Sequence, residues 1–121
     1  MAKTLLIVDD ERQICEVLAR FFTARGFRTL TASSGREAID TLTAETPDYL
    51  LLDLLMPDLS GLEVLKVVRT KWPNLKVVVV SALEDQQVTE QAFQLGASDY
   101  VQKPFQLNEA AWARAFFSEE P

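Results

Sequence analysis

Two kinds of apolar segment alternate along the chain, and their alternation predicts its architecture. Short aliphatic or β-branched runs, Thr4 to Val8, Arg28 to Ala32, Tyr49 to Leu52, Lys76 to Ser81 and Asp99 to Gln102, read as strands. The first, third and fourth are apolar almost without a break, as strands buried on both faces of a parallel sheet are. Between the runs, apolar positions return at helical spacing. Ile14, Val17, Leu18, Phe21 and Phe22 make one stripe, ended by Gly26. Ser34-Gly-Arg-Glu37 has the form of a capping box and opens a second helix, in which Ala38, Ile39 and Leu42 face inward until Pro47. Further helices are predicted from Leu62 to Trp72, from Asp85 to Leu95 and from Asn108 to Phe117. Phe21, Phe22 and Phe27 read as core, and core packing is also the default for Trp112 and Phe116.

Five strands each followed by a helix make a (βα)5 chain. Parallel strands take right-handed crossovers, and five units are too few for an eightfold barrel. What remains is an α/β, doubly wound, flavodoxin-like sheet with strand order 2-1-3-4-5. Its crevice lies at the carboxyl ends of the strands, where the order reverses between strands one and three. No linker interrupts the alternation, and 121 residues with 48% apolar content suit one domain spanning residues 1–121.

Charge and composition narrow the chemistry. The net charge is −6 and no Lys/Arg cluster is present, which argues against unaided nucleic-acid binding. With no histidine, the commonest general base and the usual zinc ligand are both missing. No apolar run approaches the roughly 20 residues of a membrane span, and no signal peptide is legible. The lone Cys15 cannot form an internal disulfide and reads as a small core residue, in keeping with a reducing, cytoplasmic setting.

The polar residues that remain collect on one rim. Asp9, Asp10 and Glu11 follow strand one, Asp53 follows strand three, Ser81 ends strand four, and Lys103-Pro104 follow strand five. Taken singly, each has a plain structural reading as a helix cap, a turn or a solvated loop end. Their joint placement at the same edge of four strands is what those readings leave unexplained. The predicted strand order brings Asp9 and Asp10 near Asp53, and clustered carboxylates repel unless a cation compensates. An oxygen-only donor set with few protein ligands suits Mg²⁺ best. An aspartate can attack phosphorus when charge on the transferring oxygens is neutralised. Mg²⁺ and Lys103 could supply that, with Ser81 donating a hydrogen bond.

Four segments, Ile7-Val8-Asp9-Asp10-Glu11, Leu51-Leu52-Asp53-Leu54-Leu55-Met56-Pro57 with Ser60-Gly61, Val80-Ser81-Ala82 and Lys103-Pro104-Phe105, resemble in order the receiver domain of bacterial two-component response regulators. The resemblance covers nearly the whole chain and leaves open a longer response regulator beyond Pro121. It implies that Asp53 is the phosphoacceptor, that Asp10 and Asp53 bind Mg²⁺ directly, that Asp9 assists through water, and that the Leu55 carbonyl adds an oxygen. It makes Lys103 the phosphate partner, joined to Pro104 by a cis bond, and pairs Ser81 with Tyr100 as the switch. The phosphoryl donor would be a phosphohistidine on a sensor histidine kinase or phosphotransfer protein. The chain would then be a switch rather than an enzyme, with self-phosphorylation and self-dephosphorylation only. Its helix 4–strand 5–helix 5 face would be read by a downstream effector domain or target protein, and is also a candidate for a phosphorylation-dependent homodimer. Two features depart from the pattern: helix five has few basic residues, and Leu55 and Leu83 are apolar where polar residues are frequent, which implies a long-lived phosphorylated form. A dehalogenase-type phosphatase would need an Asp at position 55, and a flavin module a Ser, Thr or Gly loop after strand one. A receiver-like scaffold that is never phosphorylated is the remaining alternative.

Overall fold

Side chains that point alternately to opposite sides of apolar strands demand cover on both faces, and the chain supplies it. The computed structural model describes residues 2–107 and Trp112. In chain order it forms β1 (Thr4–Val8), α1 (Arg12–Thr23), β2 (Arg28–Ala32), α2 (Gly35–Ala44), β3 (Tyr49–Leu52), α3 (Gly61–Lys71), β4 (Lys76–Ser81), α4 (Gln86–Gln94) and β5 (Ala97–Gln102). All pairings are parallel, in the order β2-β1-β3-β4-β5 expected from the sequence. Leu6, Val8, Leu50, Leu52, Val77 and Val79 face one side, where α2, α3 and α4 pack. Their neighbours Leu5, Ile7, Leu51, Val78 and Val80 face the other, against α1 and Trp112. The sheet is therefore doubly wound.

Trp112 is fully buried, edge-on to Phe22 at 5.4 Å and to Phe105 at 5.5 Å, and its indole N–H donates to the Gln106 carbonyl at 3.0 Å. Core packing thus holds for Trp112. Phe116 and the rest of the helix predicted from Asn108 to Phe117 lie outside the described residues.

Details at β5, α2 and α3 differ from the sequence reading for local reasons. β5 begins at Ala97 rather than Asp99, because a register shift between Val77 and Val78 lets Ala97 pair ahead of it. The shift places Ser98 opposite the Val77 carbonyl, to which its hydroxyl donates at 2.9 Å. At α2 only half of the expected box forms. Ser34 accepts the Glu37 N–H at 3.1 Å, while the Glu37 carboxylate accepts from the Ser33 N–H at 2.7 Å instead of that of Ser34. The complete capping box sits at α3, between Ser60 and Glu63, and starts that helix at Gly61.

Candidate functional site

The rim at the carboxyl ends of β1, β3, β4 and β5 holds the polar groups expected to act together. The chain leaves β1 at Asp9, whose N–H donates to the Ala32 carbonyl at 3.1 Å and whose Oδ1 accepts the Glu11 N–H at 2.9 Å. It leaves β3 at Asp53, whose N–H donates to the Val8 carbonyl at 3.0 Å and whose Oδ1 accepts the Leu55 N–H at 3.1 Å. Asp9 and Asp53 are only 2% and 4% exposed, whereas Asp10 projects into solvent. One carboxylate oxygen from each of the three lies within 4.8 Å of the others.

Lys103 reaches this cluster from the far side of the sheet. Its N–H donates to the Ser81 carbonyl at 2.9 Å, which fixes the backbone beyond β5. Its Nζ donates to Asp9 Oδ2 at 2.7 Å, to Asp53 Oδ2 at 3.3 Å and to Glu11 at 3.4 Å. The peptide bond to Pro104 is cis, as expected. Ser81 is fully buried beside it and accepts the Leu83 N–H at 3.4 Å. Tyr100 is half-buried, and its hydroxyl donates to the Leu83 carbonyl at 3.0 Å, which ties β5 to the segment after Ser81.

Burial raises the Asp9 pKa above its ordinary 3.8; the Lys103 hydrogen bond opposes the rise, and the charge of Asp53 adds to it. Burial also works to lower the Lys103 pKa, but its contacts with Asp9 and Asp53 outweigh this and the net shift is upward. Three carboxylates against one ammonium leave a formal −2 in the cleft. An oxygen-only trio with one exposed member and surplus negative charge is what a hard divalent ion needs.

Every site residue expected from the sequence except the Leu55 carbonyl is thus accounted for on one rim. The Leu55 side chain stands at the edge, 48% exposed. Two partners were not legible. In the sequence Glu11 is simply the third residue of an acidic run, yet it also pairs with Lys103. Asp58, in the loop after Asp53, accepts the Gly35 and Arg36 N–H groups, each at 3.0 Å. The donors it meets lie in the first turn of α2, and nothing in the residue type signals that.

A parallel sheet with an aspartate cluster and a lysine at its switch point defines a class of small signalling switches. The chain belongs to the response regulator receiver domain family, which matches residues 5–113. It is 43% identical over 104 residues to the DNA-binding transcriptional regulator NtrC of Klebsiella pneumoniae, covering 86% of this chain and 22% of that one. It is 42% identical over 105 residues to the transcriptional regulatory protein KdpE of Mycobacterium tuberculosis, covering 87% and 46%. Among solved structures, a chain of the CheX–CheY–BeF3–Mg²⁺ complex from Borrelia burgdorferi superposes with a TM-score of 0.85 at 29% identity, covering 89% of this chain and 83% of that one. The chain spans between about a fifth and a half of the curated relatives it matches. It is a receiver domain of two-component signalling, with an acidic pocket of the kind found at phosphoacceptor sites. No helix among the described residues is long and apolar enough to cross a membrane.

Proposed function

We propose that Asp53 accepts a phosphoryl group, in a Mg²⁺-dependent reaction, from a phosphohistidine on a sensor kinase or phosphotransfer protein. The observation that carries this reading is the Lys103 ammonium bridging Asp9 and Asp53 beside the exposed Asp10. An Asp53 oxygen attacks phosphorus, its bond to phosphorus forms as the P–N bond breaks, and the imidazole nitrogen keeps the electron pair. Asp10, Asp53 and the Leu55 carbonyl would hold Mg²⁺ directly, with Asp9 acting through water; when bound, the ion neutralises charge on the phosphoryl oxygens. Lys103 exchanges one carboxylate contact for a phosphoryl oxygen. Ser81 turns its hydroxyl from the Leu83 amide towards the same group. Because the Tyr100 hydroxyl hangs on the Leu83 carbonyl, movement there is felt at the surface of α4 and β5.

The BeF3 and Mg²⁺ in the Borrelia complex support this reading by similarity. The length of the NtrC and KdpE relatives supports an output through an effector domain or target protein that reads the α4–β5 side. The buried free thiol of Cys15 suits a reducing cytoplasm. The test is incubation with Mg²⁺ and acetyl phosphate, followed by intact mass. Gain of one phosphoryl group by the parent, and none by Asp53→Asn, is expected. A parent that gains nothing would leave the unphosphorylated scaffold as the better account.

A further inference from the structure

We propose that Asp58, outside the acidic cluster, is a positioning residue that holds the β3–α3 loop in the shape metal binding requires. The inference rests on the metal-dependent reading above and adds a part to it. The loop runs from Asp53 to Ser60, and both its ends are fixed. At the near end, Asp53 Oδ1 accepts the Leu55 N–H. At the far end, the Gly61 N–H donates to the Leu54 carbonyl at 3.0 Å, and Gly61 lies so close to the Asp53 carbonyl and the Leu54 backbone that no side chain would fit. Between these ends Leu55, Pro57 and Asp58 are exposed.

Asp58 closes that gap by reaching sideways. Its two oxygens take one N–H each from Gly35 and Arg36, in the first turn of α2, which is itself seated in the core through Ala38 and Leu42. Next to it, a Cβ on Gly35 would come within 2.7 Å of the Leu59 Cβ, so loop and helix already touch. The N–H groups, that of Arg36 first, hold the Asp58 carboxyl below its ordinary pKa, so the contact is made by the anion. A carboxylate at this helix end is also favoured by the helix dipole.

The loop carries Asp53 at one end and Leu55 just beyond it. If it were free to swing, metal binding would have to order it and would weaken accordingly. Asp58 supplies that order in advance from a helix that touches neither the metal nor the phosphoryl group.

Three variants decide the matter: Asp58→Ala, Asp58→Asn and, as a control, Ser34→Ala, which removes the other cap of α2 without touching the loop. Mg²⁺ affinity is read by calorimetry, phosphorylation by acetyl phosphate is followed against Mg²⁺ concentration, and amide exchange at Leu55 and Gly61 is measured in metal-free protein. In Asp58→Ala the Mg²⁺ dissociation constant should rise on the order of tenfold, the lower end of what outer hydrogen-bond partners of a metal site contribute. The rate at saturating Mg²⁺ should stay near that of the parent, and Leu55 and Gly61 should exchange faster. Asp58→Asn, which keeps one acceptor oxygen, should fall between. Unchanged affinity in Asp58→Ala, or an equal loss in Ser34→Ala, overturns the proposal. If the parent itself binds no Mg²⁺, the metal reading fails, and the exchange rates then decide the clamp alone: faster in Asp58→Ala than in Ser34→Ala upholds it, equal rates end it.

Discussion

A thiol buried beside a carboxylate is a poor nucleophile, and Cys15 is one. Burial, followed by the charge of Asp9, pushes its pKa up to about 11, and its Sγ lies 3.3 Å from the Asp9 carbonyl. Folded protein at neutral pH should therefore resist iodoacetamide and react only on unfolding, which mass spectrometry with and without denaturant would register. Because the folded pKa is the higher one, the folded state also loses stability as pH rises through the window from 9.0 to about 11. A second residue-level expectation concerns Leu55. Its half-exposed side chain follows Asp53 by two residues, and if Asp53 is phosphorylated as proposed, an apolar group there should hinder the hydrolytic water and make the aspartyl phosphate long-lived. Leu55→Asn should shorten its half-life several-fold at unchanged thermal stability, as followed by loss of label from purified protein. The residues Asp9, Asp10, Asp53, Ser81 and Lys103 were legible because each ends or follows an apolar run. Asp58 and the second role of Glu11 were not, since their partners come from other elements and carry no mark of it in the sequence.

Among the elements, α3 shows how a start signal can be overlooked. Its apolar stripe is readable, but Ser60 and Glu63 form the box that opens it, and in the sequence Ser60 stands out only as part of a loop motif. Ser60→Ala should cost about 1 kcal/mol, the usual loss for such a cap. Gly61→Ala should cost more, roughly 1–3 kcal/mol, because a Cβ there collides with the backbone at Asp53 and Leu54. Urea unfolding of the two variants would test the order. β5 was found two residues short for the opposite reason. Ala97 and Ser98 make a strand start that tertiary pairing with β4 creates and local apolarity does not announce. β1, β3 and β4 matched because burial on both faces leaves little but aliphatic residues, whereas β2, at the sheet edge, matched although only Ala32 in it is buried.

For the molecule as a whole, two opposite acid responses meet. Asp9 has a folded pKa above 3.8, so its ionised form opposes folding; that penalty is present at neutral pH and fades as pH falls through the folded value towards 3.8. Asp58 has a folded pKa below 3.8, so its contribution is present above 3.8 and is lost as pH falls through the lower value. A divalent ion relieves the first effect directly, by neutralising the charge beside Asp9. Mg²⁺ should therefore raise the Tm most at neutral pH, by the equivalent of about 2.7 kcal/mol when its concentration is a hundredfold above Kd, and progressively less as the carboxylates take up protons. Scanning calorimetry with and without Mg²⁺ across that range would expose a pH-independent effect as a contradiction.

The reach of Lys103 across the sheet has one more consequence. Its ammonium moors the segment after the outermost strand to the ends of β1 and β3, and in the proposed reaction it would also be the hand extended to an arriving anion. An anion that takes hold of it slackens that mooring in the same motion. On that reading detector and first lever would be a single side chain, and the device would have no setting in which it is loaded yet mechanically mute.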